Sequence, residues 1–462
     1  MSARIALYGG SFNPPGRHHR ALVERLAKEF DRVVIVPCGP RPDKSTTSDI
    51  EPIHRASLAD LAFGDLPNVQ VELFDLEQST FTRTVDLEHK FSDLGELWHV
   101  IGADQLARGP DGLNAIQCEW QAGKEIWQRL KFAVVTRPDY PLVPDELPRH
   151  HQIFTWNLPG ASSLIRERIF KHEPVGDVVS PEVERYIQRY GLYSGRPPER
   201  VSQISIADPR IMLLVNEEIP IAREMGAALE RFIDPRQPNL IAVVGGDGTM
   251  LHAIRKYWRK RLPFFGINAG HLGFLLNELT SVDNLPASTA GLIVQQLPLL
   301  WVETENTRGE IQRSLAFNDA WVERFSGQSA RIEVRVNGKP RIASMVADGA
   351  LLATAAGSTA YAHAIGATPV PIGTPVLILA GSNVVRPQGW RSAVLPLDAE
   401  VEFCSQDPEG RPLRGFVDGV DQGTMVRLRA RMSRIAAAEL AFLPNHDMAE
   451  KLAHIQFPPQ QR

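Results

Sequence analysis

Apolar residues in the first 190 positions alternate between short strand-like runs and stretches with helical spacing. Residues 4–8 form such a run, residues 22–27 carry apolar side chains at helical spacing, and residues 33–36 form a second run. Short apolar runs predict buried strands, and the periodic stretch predicts a helix between them. Three further candidate strands follow at residues 69–74, 97–101 and 132–135. The pattern predicts an α/β fold with a mostly parallel sheet, on which ligands bind at the C-terminal ends of strands.

The second half of the chain begins with the same alternation and then changes. Runs at residues 211–215 and 240–244 flank a helical stretch at about 222–232, which predicts a second α/β region. After about residue 299, short β-rich runs recur with glycine and proline between them. These runs predict a part built mainly of antiparallel strands.

Polar stretches that contain glycine and proline indicate the domain boundaries. A predicted helix at 180–190 ends the first region, and residues 194–200 have the composition of a linker. The last residues are polar and predict a flexible tail. The predicted divisions are a first domain at 1–193, a linker at 194–206, a second domain at 207–446 with parts 207–299 and 300–446, and a tail at 447–462.

Composition narrows the class of protein. The 462 residues are 43% hydrophobic and 23% charged, and no apolar run approaches the roughly 20 residues of a membrane helix. The formal net charge of -4 provides no basic field for nucleic acid. The three cysteines lack the spacing of a metal site, and the N-terminus lacks the apolar stretch of a signal peptide. We expect a cytoplasmic protein that binds small anionic ligands and neither nucleic acid nor membranes.

The first candidate site follows the first predicted strand. Residues 9–15 read Gly-Gly-Ser-Phe-Asn-Pro-Pro, and His18 and His19 begin the helix after them. Glycines let a backbone approach a phosphate, and imidazoles can donate to phosphate oxygens. The alternative is a simple turn with two solvated histidines. Residues 160–166 (Gly-Ala-Ser-Ser-Leu-Ile-Arg) open another helix with hydroxyls and an arginine, which suits a pyrophosphate or, alternatively, an ordinary serine cap.

Both segments occur together in a known family. Residues 1–193 resemble bacterial nicotinate or nicotinamide mononucleotide adenylyltransferases, whose signatures are GG(S/T)F(D/N)PxHxGH and a late ISSTxIR. This resemblance implies a Rossmann-like nucleotidyltransferase domain. The reaction implied is attack of a mononucleotide 5′-phosphate on the α-phosphorus of ATP, with Mg²⁺ carried on the triphosphate.

The resemblance also implies roles for individual residues. His19 and Arg166 are the implied catalytic residues, Asp104 would contact ribose, and Trp120 would pack on the pyridine ring. The remaining residues expected to bind ATP or the mononucleotide are Gly9, Gly10, Ser11, Phe12, Lys44, Thr82, Gly102, Arg137, Ser162 and Ser163.

The sequence departs from this family at the histidine motif. Gly16 stands where the first histidine is expected and His18 where the glycine is expected, while the late motif reads Gly-Ala-Ser-Ser in place of Ile-Ser-Ser-Thr. We expect His18 to supply the missing phosphate contact, with Arg17 as the alternative. A contrasting hypothesis is that the first domain senses nucleotides without catalysis and regulates an active second domain.

The second candidate site follows the apolar run at 240–244. Residues 245–249 read Gly-Gly-Asp-Gly-Thr, so Asp247 lies between glycines at the end of a predicted strand, where a carboxylate can take a proton from an alcohol. The alternatives are an ordinary Asp-Gly turn or a lipid kinase, which shares this segment.

Further segments distinguish these alternatives. Residues 268–274, Asn318–Asp319, Asp348–Gly349 and 356–361 together resemble NAD kinases, and the similarity extends over about residues 210–444, including residues 417–419. The resemblance implies an α/β part with a β-sandwich-like part, commonly assembled as a dimer or tetramer. Asp247 would be the general base for 2′-phosphorylation of NAD by ATP. The other implied binding residues are Gly246, Gly248, Thr249, Phe274, Asn318, Asp319, Asp348, Thr359, Ala360 and Tyr361.

The departures here are smaller. Ala356 replaces a Thr or Ser, Asp319 replaces a Glu, and residues 364–367 are less glycine-rich than expected. Together the two resemblances predict a bifunctional enzyme of NAD(P) synthesis. The sequence leaves open whether the first domain uses nicotinamide or nicotinate mononucleotide.

Overall fold

The computed structural model describes residues 2–42, 44–109, 112–156, 158, 160–270, 273–279, 281–282 and 284–457. The chain divides into two compact units, residues 1–199 and 200–462. Of the helices within the described residues, none has the length and apolar character needed to cross a membrane.

The first unit is a parallel sheet with helices between its strands. The sheet order is β3-β2-β1-β4-β5-β6, and every pairing is parallel. The strands are β1 (Arg4–Gly10), β2 (Arg32–Pro37), β3 (Val69–Val71), β4 (Glu96–Gly102), β5 (Lys131–Val135) and β6 (His150–Phe154). The helices are α1 (Arg17–Glu29), α2 (Pro52–Phe63), α3 (Phe74–Gln78), α4 (Thr84–Phe91), α5 (Ala115–Glu119), α6 (Gly123–Arg129), α7 (Ser162–Phe170) and α8 (Pro181–Tyr190).

The predicted α/β fold of this unit is confirmed, with differences at its periphery. The candidate strand at 69–74 was predicted too long, because residues after Val71 turn away and Phe74 begins α3. Strand β6 lies at the sheet edge and was not predicted. The predicted helix at 180–190 is α8, whose Ser180 accepts a hydrogen bond from the Val183 N–H at 3.4 Å.

The second unit contains sixteen strands within its described residues. Its strands are β7 (Val201–Ile204), β8 (Ile211–Val215), β9 (Leu240–Gly245), β10 (Phe264–Asn268), β11 (Leu292–Glu305), β12 (Ile311–Ala316), β13 (Asp319–Arg324), β14 (Ala330–Val336), β15 (Lys339–Ala347), β16 (Gly349–Thr354), β17 (Val376–Ser382), β18 (Ser392–Pro396), β19 (Val401–Ser405), β20 (Leu413–Val417), β21 (Val420–Met425) and β22 (Arg427–Phe442). Its helices are α9 (Pro220–Leu229), α10 (Asp247–Tyr257), α11 (Leu285–Ser288), α12 (Tyr361–Ala364) and α13 (Met448–Gln456).

Two sheets organise this unit. In one, the parallel strands β8, β9 and β10 continue through β22 into the antiparallel strands β19, β14 and β15. The other has the order β18-β17-β16-β13-β20-β21 and is antiparallel throughout. Buried side chains from both sheets, among them Val322, Ile332, Leu352 and Leu428, form one hydrophobic core. The predicted combination of an α/β part with a β-sandwich-like part is therefore confirmed.

Three predicted boundaries differ from the structure. The predicted linker at 194–206 contains β7, which pairs with β11 from Val201 opposite Gln295 to Ile204 opposite Leu292. The predicted division at 299/300 falls inside β11. The predicted flexible tail contains α13, and its last residues, 458–462, lie outside the described residues.

Candidate active sites

The first unit has a cavity of about 1330 Å³ at the C-terminal ends of β1, β4 and β5. From β1 the sheet continues on one side through β2 and β3 and on the other side through β4, β5 and β6. Such a switch in strand order opens a crevice at the C-terminal ends of parallel strands. The residues predicted for the first site all line this cavity: Gly9, Gly10, Ser11, Phe12, His18, His19, Lys44, Thr82, Gly102, Asp104, Trp120, Arg137, Ser162, Ser163 and Arg166.

The two motif segments form one wall of this cavity. Ser162 Oγ, at the start of α7, donates to the Pro14 carbonyl at 2.9 Å, and Arg166 Nη1 donates to the Asn13 carbonyl at 2.6 Å. These bonds join segments about 150 residues apart in the chain. The glycine-rich loop and the late motif are thus held as one surface.

A buried arginine fixes the loops on the other side. Arg55 donates to the Ser11 carbonyl at 2.7 Å and to the Thr47 carbonyl at 3.0 Å. Lys44 Nζ donates to Ser11 Oγ at 3.1 Å. The lysine cation is therefore positioned beside the glycine-rich loop, where a phosphate would be attracted.

His18 and His19 lie together at the first turn of α1. Their ring centroids are 3.9 Å apart, and His19 Nδ1 accepts a hydrogen bond from the Gly16 N–H at 3.1 Å. Burial and the nearby Arg137 lower the pKa of His18 to about 4. Burial also lowers the pKa of His19 well below its usual value, assisted by His18, Arg137 and Lys44. At neutral pH both imidazoles are therefore uncharged, and each carries one N–H group that can donate to a phosphate oxygen.

Two glycines make room for His18. A Cβ atom at position 16 would lie 2.7 Å from His18 Cε1 and Nδ1, and one at position 160 would lie 2.3 Å from His18 Nδ1. The imidazole of His18 therefore occupies the space that a side chain at position 16 would need. Arg17 is directed elsewhere, with Nε and Nη2 each 2.9 Å from the carbonyls of Val179 and Gly176. The structure thus favours His18 over Arg17 for the predicted contact.

Two of the lining residues also make contacts within the protein. The Phe12 ring lines the cavity and is also buried against Tyr8 and Phe63, at centroid distances of 5.1 and 5.4 Å. Thr82 directs its N–H and hydroxyl to the Asp75 carboxylate, at 3.1 and 2.5 Å. Asp75 lines the cavity and was not predicted, because it lies outside both sequence motifs.

In the second unit, Asp247 is the first residue of α10, directly beyond the buried strand β9. Its Oδ2 accepts from the Phe274 N–H and its Oδ1 from the Leu275 N–H, both at 3.0 Å. Burial raises the pKa of Asp247, while these two bonds lower it. Gly246 and Gly248 have no heavy atom within 4 Å of the position of an added Cβ, so the helix N-terminus is open to a ligand.

Gly245 and Thr249 shape the same turn. A Cβ at Gly245 would lie 2.5 Å from Thr249 Oγ1, which accepts a hydrogen bond from Asn216 Nδ2 at 3.4 Å. Asn216 follows β8, the strand beside β9. The neighbouring strand end thus holds the threonine at the first turn of α10.

An aspartate near the C-terminus organises the Asn318–Asp319 segment. The Asp418 carboxylate accepts N–H groups from Phe317, Asn318 and Asp319 at 2.7, 2.8 and 3.2 Å. The Asp418 carbonyl accepts from Arg255 Nη2 of α10 at 3.4 Å. Asp418 therefore links the predicted binding segment Asn318–Asp319 to the helix that begins with Asp247.

Asp319 is buried next to Asp418. Burial and the negative charge of Asp418 raise the pKa of Asp319 to about 7. Because the folded pKa lies above the ordinary value of 3.8, the folded state holds an extra proton between these pH values, and stability falls as the pH rises towards 7.

The variant Asp319→Asn removes this buried charge, and we expect it to unfold at a higher temperature than the unsubstituted protein at pH 8. The difference should shrink at pH 5.5, where Asp319 is already protonated. Thermal unfolding at both pH values tests this, with the exposed Asp398→Asn as the matched control. A stabilisation of equal size at both pH values would contradict it.

The turn at residues 356–361 packs on the same segment. Thr354 Oγ1 donates to the Phe317 carbonyl at 2.7 Å, and a Cβ at Gly357 would lie 2.2 Å from the Asn318 carbonyl oxygen. Thr359 Oγ1 donates to the Ala356 carbonyl at 3.3 Å, and Ala360 precedes α12. The structure therefore brings this turn directly against Asn318.

Asp348 and Tyr361 line a separate cavity of about 510 Å³. Asp348 accepts from Arg324 Nε at 2.6 Å and from Asn383 Nδ2 at 2.7 Å. The Tyr361 and Trp321 ring centroids are 5.1 Å apart. Asp247 is not among the residues that line this cavity. The structure therefore does not place all the residues predicted for the second site around one cavity.

Sequence reasoning missed two residues of the second unit. Asp418 lies in the segment 417–419 that carried part of the resemblance, but no role was predicted for it. Lys451 lies in the predicted tail. The signal for the helix that carries Lys451 is an asparagine or aspartate cap followed by apolar residues at helical spacing. In this sequence these residues are Asp447, Met448, Leu452 and Ile455.

Comparisons with known proteins match the two units separately. Residues 7–168 match the Cytidylyltransferase-like family, and residues 204–293 match the ATP-NAD kinase N-terminal domain. The NAD kinase of Rickettsia bellii is 33% identical over 232 residues, which cover 50% of this chain and 89% of that protein. The NAD kinase of Rickettsia canadensis is 31% identical over 254 residues, which cover 54% of this chain and 98% of that protein.

Among solved structures, yeast NADH kinase complexed with NADH aligns with a TM-score of 0.43 and 15% identity, over 73% of this chain and 83% of that one. The relatives from Rickettsia are matched over most of their length. The chain therefore belongs to the NAD kinase family through its second unit, to which a cytidylyltransferase-like domain of the nucleotidyltransferases is fused at the N-terminal side.

Proposed function

We propose that the chain is a bifunctional enzyme, in which the first unit joins a pyridine mononucleotide to AMP from ATP and the second phosphorylates NAD to NADP. The observation that carries the proposal is the position of Asp247. Its carboxylate lies at the end of a buried strand between two open glycines and is oriented by two backbone N–H groups.

In the kinase reaction, Asp247 accepts the proton of the adenosine 2′-hydroxyl as that oxygen attacks the γ-phosphorus of ATP and ADP leaves. Burial raises the Asp247 pKa, which makes the carboxylate a stronger base than an exposed one. The N-terminus of the eleven-residue α10 favours phosphate beside it. Asn318 and Asp319 supply amide and carboxyl groups that suit sugar hydroxyls.

In the proposed adenylyl transfer, a 5′-phosphate oxygen attacks the α-phosphorus of ATP and pyrophosphate leaves. The cavity of about 1330 Å³ exceeds the common range for a single drug-sized ligand, roughly 300–1,000 Å³, and suits two nucleotides. Lys44, Arg137 and Arg166 offer positive charge to the phosphates, and His18 and His19 offer N–H donors. Positioning and charge neutralisation suffice for this reaction without a covalent nucleophile.

We propose MgATP as the form in which ATP enters both sites, because phosphate oxygens are suitable ligands for Mg²⁺. The mononucleotide is the less constrained substrate. The nicotinamide form would feed the second unit directly with NAD, whereas the nicotinate form would require an amidation before the kinase reaction.

A product assay tests both halves. Purified protein is incubated with MgATP and either nicotinamide or nicotinate mononucleotide, and separately with NAD, and the dinucleotides and their 2′-phosphates are resolved. NADP from nicotinamide mononucleotide is the expected result for two sites in series. If neither mononucleotide gives a dinucleotide while NAD still becomes NADP, the first unit is a nucleotide-binding module. If NAD is not phosphorylated, the kinase half of the proposal is wrong.

A further inference from the structure

Helix α13 reaches the loop that orients Asp247. Lys451 Nζ donates to the Gly273 carbonyl at 2.5 Å and to the Leu276 carbonyl at 2.8 Å. Its side chain is only 11% exposed, and its nearest carboxylate is that of Glu278, at 4.0 Å. One cation thus holds both ends of a four-residue segment, with Phe274 and Leu275 between them.

The same peptide group contacts both Lys451 and Asp247. The Gly273 carbonyl that accepts from Lys451 and the Phe274 N–H that donates to Asp247 belong to one planar peptide unit. Its two ends point in opposite directions, so fixing the carbonyl fixes the direction of the N–H. A cation at the carbonyl also polarises the unit and strengthens its N–H as a donor. The charge on Lys451 therefore acts on the Asp247 carboxylate through the peptide.

Helix α13 is itself anchored at both ends. Asp447 caps it by accepting from the Glu450 N–H at 3.0 Å, Leu452 is buried, and Gln456 Nε2 donates to the Pro369 carbonyl at 3.1 Å. Burial lowers the pKa of Lys451, while the charges of Glu278 and Asp247 raise it. Placing a largely buried cation here is unfavourable unless it is paired, which indicates that its carbonyl and carboxylate contacts determine its position.

We propose that Lys451 is a positioning residue of the kinase site, which holds the Gly273–Phe274 peptide so that the Asp247 carboxylate is aimed at the substrate hydroxyl. The inference rests on the proposed kinase reaction. It assigns a part in positioning the base to α13, which lies outside the ATP-NAD kinase N-terminal domain matched at residues 204–293.

The test compares Lys451→Met, which keeps the aliphatic stem, with Lys451→Arg, which keeps the charge. The matched control is His454→Met, an exposed position on the same helix. For Lys451→Met we expect kcat for NADP formation to fall by about 10²-fold, as for a small misplacement of a catalytic group, with KM for NAD little changed. Lys451→Arg should recover much of this loss, and His454→Met should show none.

A second readout is the pH dependence of kcat. Lys451 is the charged group that faces Asp247, and Glu278 and His446 in turn face Lys451. Losing the cation and loosening the two N–H donors raises the Asp247 pKa, so the acid limb of the profile should move to higher pH in Lys451→Met. A variant that merely folds poorly would lose active protein without moving this limb.

The results separate two failures. If the unsubstituted protein forms no NADP from NAD and MgATP, the proposed function is wrong, and the role assigned to Lys451 is overturned with it. If that protein is active and Lys451→Met has the same kcat and acid limb, the inference is wrong. A change confined to KM would also overturn it, because it would place Lys451 in substrate binding.

Discussion

Replacing Asp247 by asparagine is expected to lower the rate of NADP formation by about 10²–10⁴-fold, the range by which a general base accelerates a reaction. Asparagine preserves the size of the side chain but cannot accept the hydroxyl proton. Its amide also cannot accept from both the Phe274 and Leu275 N–H groups as the carboxylate does. The measurement is the initial rate of NAD phosphorylation by MgATP.

The first unit provides an internal control for this variant. Dinucleotide formation from the mononucleotide and ATP should continue at the unsubstituted rate, so the dinucleotide should accumulate. Asp398→Asn, at an exposed position, should leave both rates unchanged. Retention of most NADP formation in Asp247→Asn would assign the base to another residue.

The second large effect is expected from exchanging the glycine and the histidine at positions 16 and 18. Gly16→His alone should abolish most dinucleotide formation, because its Cβ would lie 2.7 Å from the His18 ring. His18→Gly alone should lower the rate by about 10²-fold or more through loss of an N–H donor to phosphate. The double variant restores the order His-x-Gly-His and removes the His18 ring from the space that a side chain at position 16 needs, so its rate should exceed that of either single variant.

This comparison is a double-mutant cycle on adenylyl transfer, with the kinase rate of each variant as the measure of intact protein. His89→Ala, at an exposed histidine of α4, is the control for histidine loss. Additive losses in the double variant would show that positions 16 and 18 do not share one role. An unchanged rate in His18→Gly would remove His18 from the reaction.

The local part of the fold could be predicted from the sequence. Strands such as β9 are continuous apolar runs ending in glycine, and helix α8 begins at a serine cap and ends at Gly191, with a φ of 60°. These signals act within a few residues of the chain. The positions of Asp247 and of the loop at residues 9–15 followed from the same signals.

The misplaced boundaries depend on distant partners. Strand β7 is short and partly exposed, and its partner strand β11 lies about 90 residues further along the chain. Helix α13 buries little apolar surface and is held by contacts with Gly273, Leu276 and Pro369. The pairing of β7 leaves no mark in the local pattern of apolar residues, and the capped apolar spacing of α13 indicates a helix but not the contacts that hold it.

In the candidate sites too, residues in local motifs could be predicted, whereas residues that act through distant contacts could not. The residues that line the first cavity were found through motifs, whereas Asp75 was not, because its role depends on a loop that brings Thr82 to it. Asp418 reads as an ordinary Asp-Gly turn. Its function as an acceptor for three consecutive N–H groups exists only after β20 pairs with β13.

The path of β22 has a consequence for biosynthesis. This strand pairs with β10, β11 and β19, so the second unit cannot complete its larger sheet until residue 442 has left the ribosome. The first unit needs nothing beyond residue 199 for its own sheet and can fold while the rest of the chain is being translated. A nascent chain therefore acquires its nucleotidyltransferase-like unit well before its kinase unit.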